Sequence, residues 1–206
     1  MLVCETNKVS EFKRIINSIS ALVDDGAAEI TKDGIKIRAI DPSQIAMISV
    51  NIPVFMFSKF ELDKEMNVGI NFSEFSKILK RAKDEDILNI KIENEVEVKL
   101  IGKASREFKF GLIESSAPSR EPKIETTATI KISGKLIKDF IGDIESISTK
   151  INFNISRDKF IITSSSDEEG TSGKIEISDE NLIGKEVKED AKATFSIEYL
   201  KDLMAG

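Results

Sequence analysis

Asp33-Gly34-Ile35-Lys36-Ile37 decides the fold, because Asp158-Lys159-Phe160-Ile161-Ile162 answers it 125 residues later (158 − 33). Both stretches set an acid at a turn and follow it with an isoleucine-rich run that favours a strand. Leu136, Lys138 and Phe140 repeat Phe12, Arg14 and Ile16 at a spacing of 124 (136 − 12). Tyr199, Lys201 and Leu203 repeat Phe75, Lys77 and Leu79 at the same spacing (199 − 75). Three matches in order point to a tandem duplication.

Each repeat opens on a helical pattern. Phe12, Ile15, Ile16, Ile19 and Leu22 fall at the spacing of one helix face. A second helix is expected over residues 71–82, with Phe72, Phe75, Ile78 and Leu79 on one side. Asn71 with Glu74 three residues on reads as a capping box. Between the helices the period is two. Ile35 to Ala39, Leu88 to Ile92, Val96 to Leu100, Phe108 to Phe110 and Ile175 to Ile177 alternate apolar with polar residues. Such runs form antiparallel strands with one face on a core and the other in water. The fold class is therefore α+β, a tandem duplication with two helices on antiparallel sheet in each repeat. Residues 1–114 are read as the first domain, 115–126 as a linker holding Pro118 and Pro122, and 127–206 as the second.

Composition narrows the chemistry. The 206 residues contain no histidine and one cysteine, Cys4, which excludes the usual general base, the Ser/His and Cys/His nucleophile pairs and an internal disulfide. Asp167-Glu168-Glu169 resembles an acidic cation site but lacks the spaced ligands of a calcium loop, and a solvated turn explains it. No glycine-rich phosphate loop occurs, and neither an enzyme activity nor a cofactor is expected. No run of eighteen apolar residues appears, so no membrane-spanning helix is expected. The net charge of −6 opposes nucleic-acid binding unless charge is segregated by face. It is segregated. Lys13 and Arg14 in the first helix, and Lys77, Lys80 and Arg81 in the second, fall off the apolar stripes, whereas acids crowd the strands and loops. Such a face would track a phosphate backbone without reading bases.

Residues 34–49, running through Asp41-Pro42-Ser43-Gln44-Ile45, resemble the loop after the second strand in the proliferating cell nuclear antigen family of DNA sliding clamps. Residues 66–80 with Asp84-Glu85-Asp86 resemble that family's second helix and the strand entry behind it, and residues 193–201 its last helix. The resemblance implies a processivity factor that encircles duplex DNA and tethers replication and repair enzymes. It implies a homotrimeric ring and no cofactor. Lys13, Arg14, Lys77, Lys80, Arg81, Lys138 and Lys201 would then face DNA. Ile40, Ile45 and Met47, with Pro118, Pro122 and Ile124, would form the groove that takes short motifs of polymerase, clamp loader, ligase and nuclease. A strand with Phe108, Phe110 and Leu112 would pair with one carrying Ile175 and Ile177 in the next subunit.

Three departures qualify the resemblance. Ile141, Glu145 and Glu198 stand where many relatives carry a cation, so the second repeat is expected to contribute less to DNA contact. The linker is polar. Only three residues follow Leu203, so the second domain is expected to lack its closing strands. The alternative is a clamp-like interaction or regulatory protein not itself loaded on DNA; a hydrolase with paired carboxylates would need a facing pair that nothing here places. Rich in Lys, Ile and Glu and free of Trp and His, the composition points to an archaeal thermophile, with a cytoplasmic, nucleoid-associated location; a eukaryotic relative would be nuclear.

Overall fold

The stripe of Phe12, Ile16, Ile19 and Leu22 is buried, and it lies on a helix over Val9–Leu22. The computed structural model describes residues 1–114, 124–166 and 170–204. They fall into two compact units, within Met1–Glu121 and within Pro122–Met204.

In the first unit the elements run β1 (Leu2–Thr6), α1 (Val9–Leu22), β2 (Asp25–Thr31), β3 (Gly34–Ile40), β4 (Met47–Pro53), β5 (Lys59–Leu62), β6 (Met66–Asn71), α2 (Phe72–Leu79), β7 (Ile87–Ile92), β8 (Glu95–Ile101) and β9 (Ser105–Gly111). They make two antiparallel sheets, in the orders β5-β1-β7-β8-β9 and β4-β3-β2-β6. Alternation places Leu2 and Cys4 of β1 beside Ile92 and Ile90 of β7, all buried. Burial pushes the Cys4 thiol up to about 12, so it behaves as a small apolar side chain. Helices α1 and α2 pack together: the Phe12 and Phe75 rings lie 5.9 Å apart, and the buried Ser76 hydroxyl donates to Asn17 Oδ1 at 2.9 Å. Ser76 is thus part of the helix contact and not of an exposed face.

Two turns show why these residues suit their places. Gly34 has φ +138°, and a Cβ there would sit 2.2 Å from the Ile52 carbonyl oxygen. At the start of α2, Asn71 Oδ1 accepts from the Glu74 N–H at 2.7 Å. The Glu74 carboxylate turns to Lys77 at 2.6 Å, so half of the expected capping box forms.

The second unit runs β10 (Ala128–Lys131), α3 (Gly134–Ile144), β11 (Lys150–Ile155), β12 (Phe160–Ser165), β13 (Ser172–Ile177), β14 (Gly184–Val187), β15 (Ala191–Ser196) and α4 (Ile197–Leu203). Its sheets are β13-β12-β11-β15 and β10-β14. The duplication is real, but the helices repeat at 125 and not at the expected 124. Buried Ile16 and Ile19 correspond to buried Ile141 and Ile144, and buried Phe72, the first residue of α2, to buried Ile197, the first of α4. The strands agree: β3 residues Ile35 and Ile37 match Phe160 and Ile162 of β12.

The second core is smaller. Ile141, Ile144, Ile151, Phe160, Ile162, Ile177 and Ile197 are buried, while Ile130, Ile132 and Phe153 are only partly covered. Among the described residues β10 pairs with β14 alone, whereas β1 pairs with both β5 and β7.

Candidate nucleic-acid interface and partner surfaces

The seven candidate cations sit on or beside the four helices, but most already have work inside the protein. Lys13 Nζ donates to the Ala82 carbonyl at 3.0 Å, joining α1 to the residues after α2. Lys77 is paired with Glu74, whose hydrogen bond and charge raise the lysine above its ordinary range. The Arg81 guanidinium lies over the Phe108 ring, 5.6 Å from its centroid. Lys138 Nζ donates to the Met204 carbonyl at 3.3 Å, and Lys201 pairs with Glu145. Arg14 and Lys80 are exposed, and their side chains make no hydrogen bond or ion pair among the described residues. Spacing alone marked all seven as equivalent, and their partners separate them.

In the second unit the ends of α3 and α4 border a cleft of about 610 Å³. Glu145, Glu198 and Asp202 line it with Lys201, so the local charge is acidic.

The two strands expected to pair between subunits both lie at sheet edges, β9 in the first unit and β13 in the second. Their apolar side chains turn inward. Phe110 meets Phe75 at 5.7 Å between rings, Ile177 is in the second core, and Ile175 packs against it. Phe108 and Leu112 are half-buried. What β9 and β13 offer to another chain is therefore backbone, flanked on their outward faces by charge. Lys109 lies between Glu95 and Glu97 on β8, at 3.0 and 3.1 Å, and Lys174 pairs with Glu176 at 3.1 Å. Bonding to those carboxylates raises the Lys109 ammonium above its ordinary range.

The third candidate surface is the β3–β4 connection. Ile40 and Met47 are directly opposed across the two strands and so share one face. Ile40 is 41 % exposed and Ile45 72 %. Ile124, in the second unit, is 75 % exposed, while Pro118, Pro122 and the acidic stretch 167–169 lie outside the described residues.

Two buried carboxylates were not marked by sequence reasoning. Asp41 holds the β3–β4 loop, and Asp86 accepts from the Lys83 N–H at 2.8 Å and pairs with Arg106 of β9. Arg106 also donates to the Arg81 carbonyl at 2.8 Å, tying the end of the α2 segment to the edge strand. Asp-Pro-Ser at 41–43 is a turn signal that could have drawn attention to Asp41. Nothing local to Asp86 announces a partner twenty residues away.

A duplicated unit of two helices with antiparallel sheet is the architecture of DNA sliding clamps. The family model described as "Proliferating cell nuclear antigen, N-terminal domain" matches residues 1–110, and the chain belongs to this family. It is 34% identical over 199 residues to the DNA polymerase sliding clamp of Pyrococcus horikoshii, covering 95% of this chain and 80% of the relative. The corresponding protein of Thermococcus onnurineus is 35% identical over the same shares. Among solved structures, the proliferating cell nuclear antigen of Thermococcus kodakaraensis superposes with a TM-score of 0.92 at 25% identity, over 100% of this chain and 85% of that one. The A. fulgidus protein, solved with the C-terminal region of FEN-1 bound, gives 0.89 at 26% identity, over 100% of this chain and 83% of that one.

Proposed function

We propose that this chain is a subunit of an archaeal DNA polymerase sliding clamp, a non-catalytic processivity factor that tethers replication enzymes to duplex DNA. The duplicated clamp unit, matched over the whole chain to solved relatives, carries this reading. Arg14 and Lys80, whose side chains are without partners among the described residues, would meet phosphate, and the other five candidates would contribute in proportion to what their internal partners leave free. Backbone pairing of β9 with β13 of another copy would close a homotrimer. Ile40, Ile45 and Met47 would receive short motifs of polymerase, ligase or nuclease. The A. fulgidus relative, solved with the C-terminal region of FEN-1 bound, supports a protein partner of this kind.

One observation favours the second reading, a clamp-like interaction protein not loaded on DNA: five of the seven candidate cations are internally engaged. Retention on nicked circular DNA after incubation with a clamp loader separates the two. A topological tether is retained on the circle and lost once the DNA is linearised. Equal retention on both forms, or none on either, would move the interaction reading ahead.

A further inference from the structure

Asp41 is only 4% exposed, although it sits at the tip of a hairpin. Its carboxylate is consumed by the loop that follows. Oδ1 accepts from the backbone N–H groups of Ile45 at 2.7 Å and Ala46 at 2.6 Å, and Oδ2 from Ser43 at 3.0 Å. Its own N–H donates to the Ala46 carbonyl at 3.0 Å, and its carbonyl accepts from Gln44 at 2.8 Å. One residue thereby binds all of residues 43–46, and Gln44 is held at φ 57°, a conformation that non-glycine residues seldom adopt. A carboxylate taken out of water needs such donors, since burial without them is costly.

The product of this construction is apolar surface kept in water. Ile45 stands 72 % exposed on the loop that Asp41 ties, and Ile40, the residue before Asp41 in the chain, is 41 % exposed. Closing β3 onto β4 does not require it, because hairpins close on two-residue turns without buried charge. Fixing the loop beforehand removes an ordering cost from any complex formed on it.

We infer that Asp41 is the positioning residue of the partner surface, locking residues 43–46 so that Ile45 and Ile40 meet the apolar anchor of a partner peptide in one preset arrangement. This rests on the partner-groove reading given under the proposed function. Asp41 itself touches no partner. It acts through the three N–H groups.

The test uses a labelled peptide of the C-terminal region of FEN-1, titrated by fluorescence anisotropy against the full chain and three variants. Asp41→Ala is expected to weaken binding about tenfold, the equivalent of ordering one backbone residue on complex formation. Asp41→Asn should recover part of the loss, because its amide oxygen still accepts from Ile45 and Ala46. Hydrogen exchange at Ser43, Ile45 and Ala46 should accelerate in Asp41→Ala while the β7 and β8 amides stay protected. Ile45→Ala tests the groove alone: unchanged binding there removes the groove reading. If Ile45→Ala weakens binding but Asp41→Ala does not, the positioning role is wrong while the groove stands. Loss of protection in β7 and β8 by Asp41→Ala, with no recovery in Asp41→Asn, would also overturn it, since the effect would then be global.

Discussion

Charge reversal at Arg14 and Lys80 is the sharpest test of whether the helices meet DNA. These two candidates are free of internal partners among the described residues, so their charge is fully available to phosphate. Each phosphate contact contributes about 0.9 to the slope of log affinity against log salt. Arg14→Glu with Lys80→Glu should therefore flatten that slope by roughly 1.8 for each subunit in contact. Lys138→Glu with Lys201→Glu removes the same formal charge from side chains already committed to the Met204 carbonyl and to Glu145. That pair should flatten the slope by clearly less. Anisotropy of a labelled duplex, measured between low and physiological salt, reads both slopes directly. Reversal of Lys91 and Lys99, on β7 and β8, is the control for net charge. If all three double variants flatten the slope equally, only total charge matters and the assignment of the contact to helix residues fails.

Other consequences can be checked on the isolated protein. Phe110→Asp should lower the melting temperature, at a cost of about 2 kcal/mol for a half-buried ring packed on Phe75, and any change in molar mass by light scattering should accompany that loss. A parent-like melting temperature with altered mass would show that Phe110 acts at a subunit contact and not in the core. Asp86 is held below its ordinary range, chiefly by the Lys83 N–H and then by Arg106. Its contribution is complete above about pH 4 and is lost as pH falls through the lower folded value. Arg106→Gln should make the acid fall of unfolding free energy shallower, and an unchanged slope would rule out this linkage. Amides of β10 and β14 should exchange faster than those of β1 and β7, because Ile130 and Ile132 are only partly covered. Equal protection would mean that the second core closes as fully as the first.

The duplication was legible because strands fix parity. A one-residue slip in a strand turns every side chain to the opposite face, so Asp33 and Asp158 could be matched in only one way. Helices are more forgiving. Leu136 stands beside Ile137 and Phe140 beside Ile141, so spacings of 124 and 125 both laid apolar residues on apolar residues. Burial of Ile141 and Ile144 chooses the second. Strand β2 escaped notice because Gly26, Ala27 and Ala28 carry no bulk; a Cβ on Gly26 would sit 2.9 Å from the Phe72 ring. The candidate cations were found by type and face, but their availability depends on partners remote in sequence. Lys13 meets Ala82 across 69 positions, and no local pattern records that. Asp41 was quoted only as part of a motif, since its role lies in backbone donors that spacing does not display.

The first strand of the chain occupies an interior place in its sheet, between β5 and β7. During synthesis, Leu2–Thr6 leaves the ribosome with neither neighbour made. The hairpins β2–β3 and β3–β4 join residues close in sequence and can form as they emerge. Leu2 must wait for Leu62 on one side and for Ile92 on the other. Until then its apolar face is exposed in the nascent chain, and the pairing of β1 on both sides waits for the arrival of β7. A pause in translation before β7 has emerged would lengthen the interval in which that strand is open to wrong partners, while a pause after β7 has emerged would not.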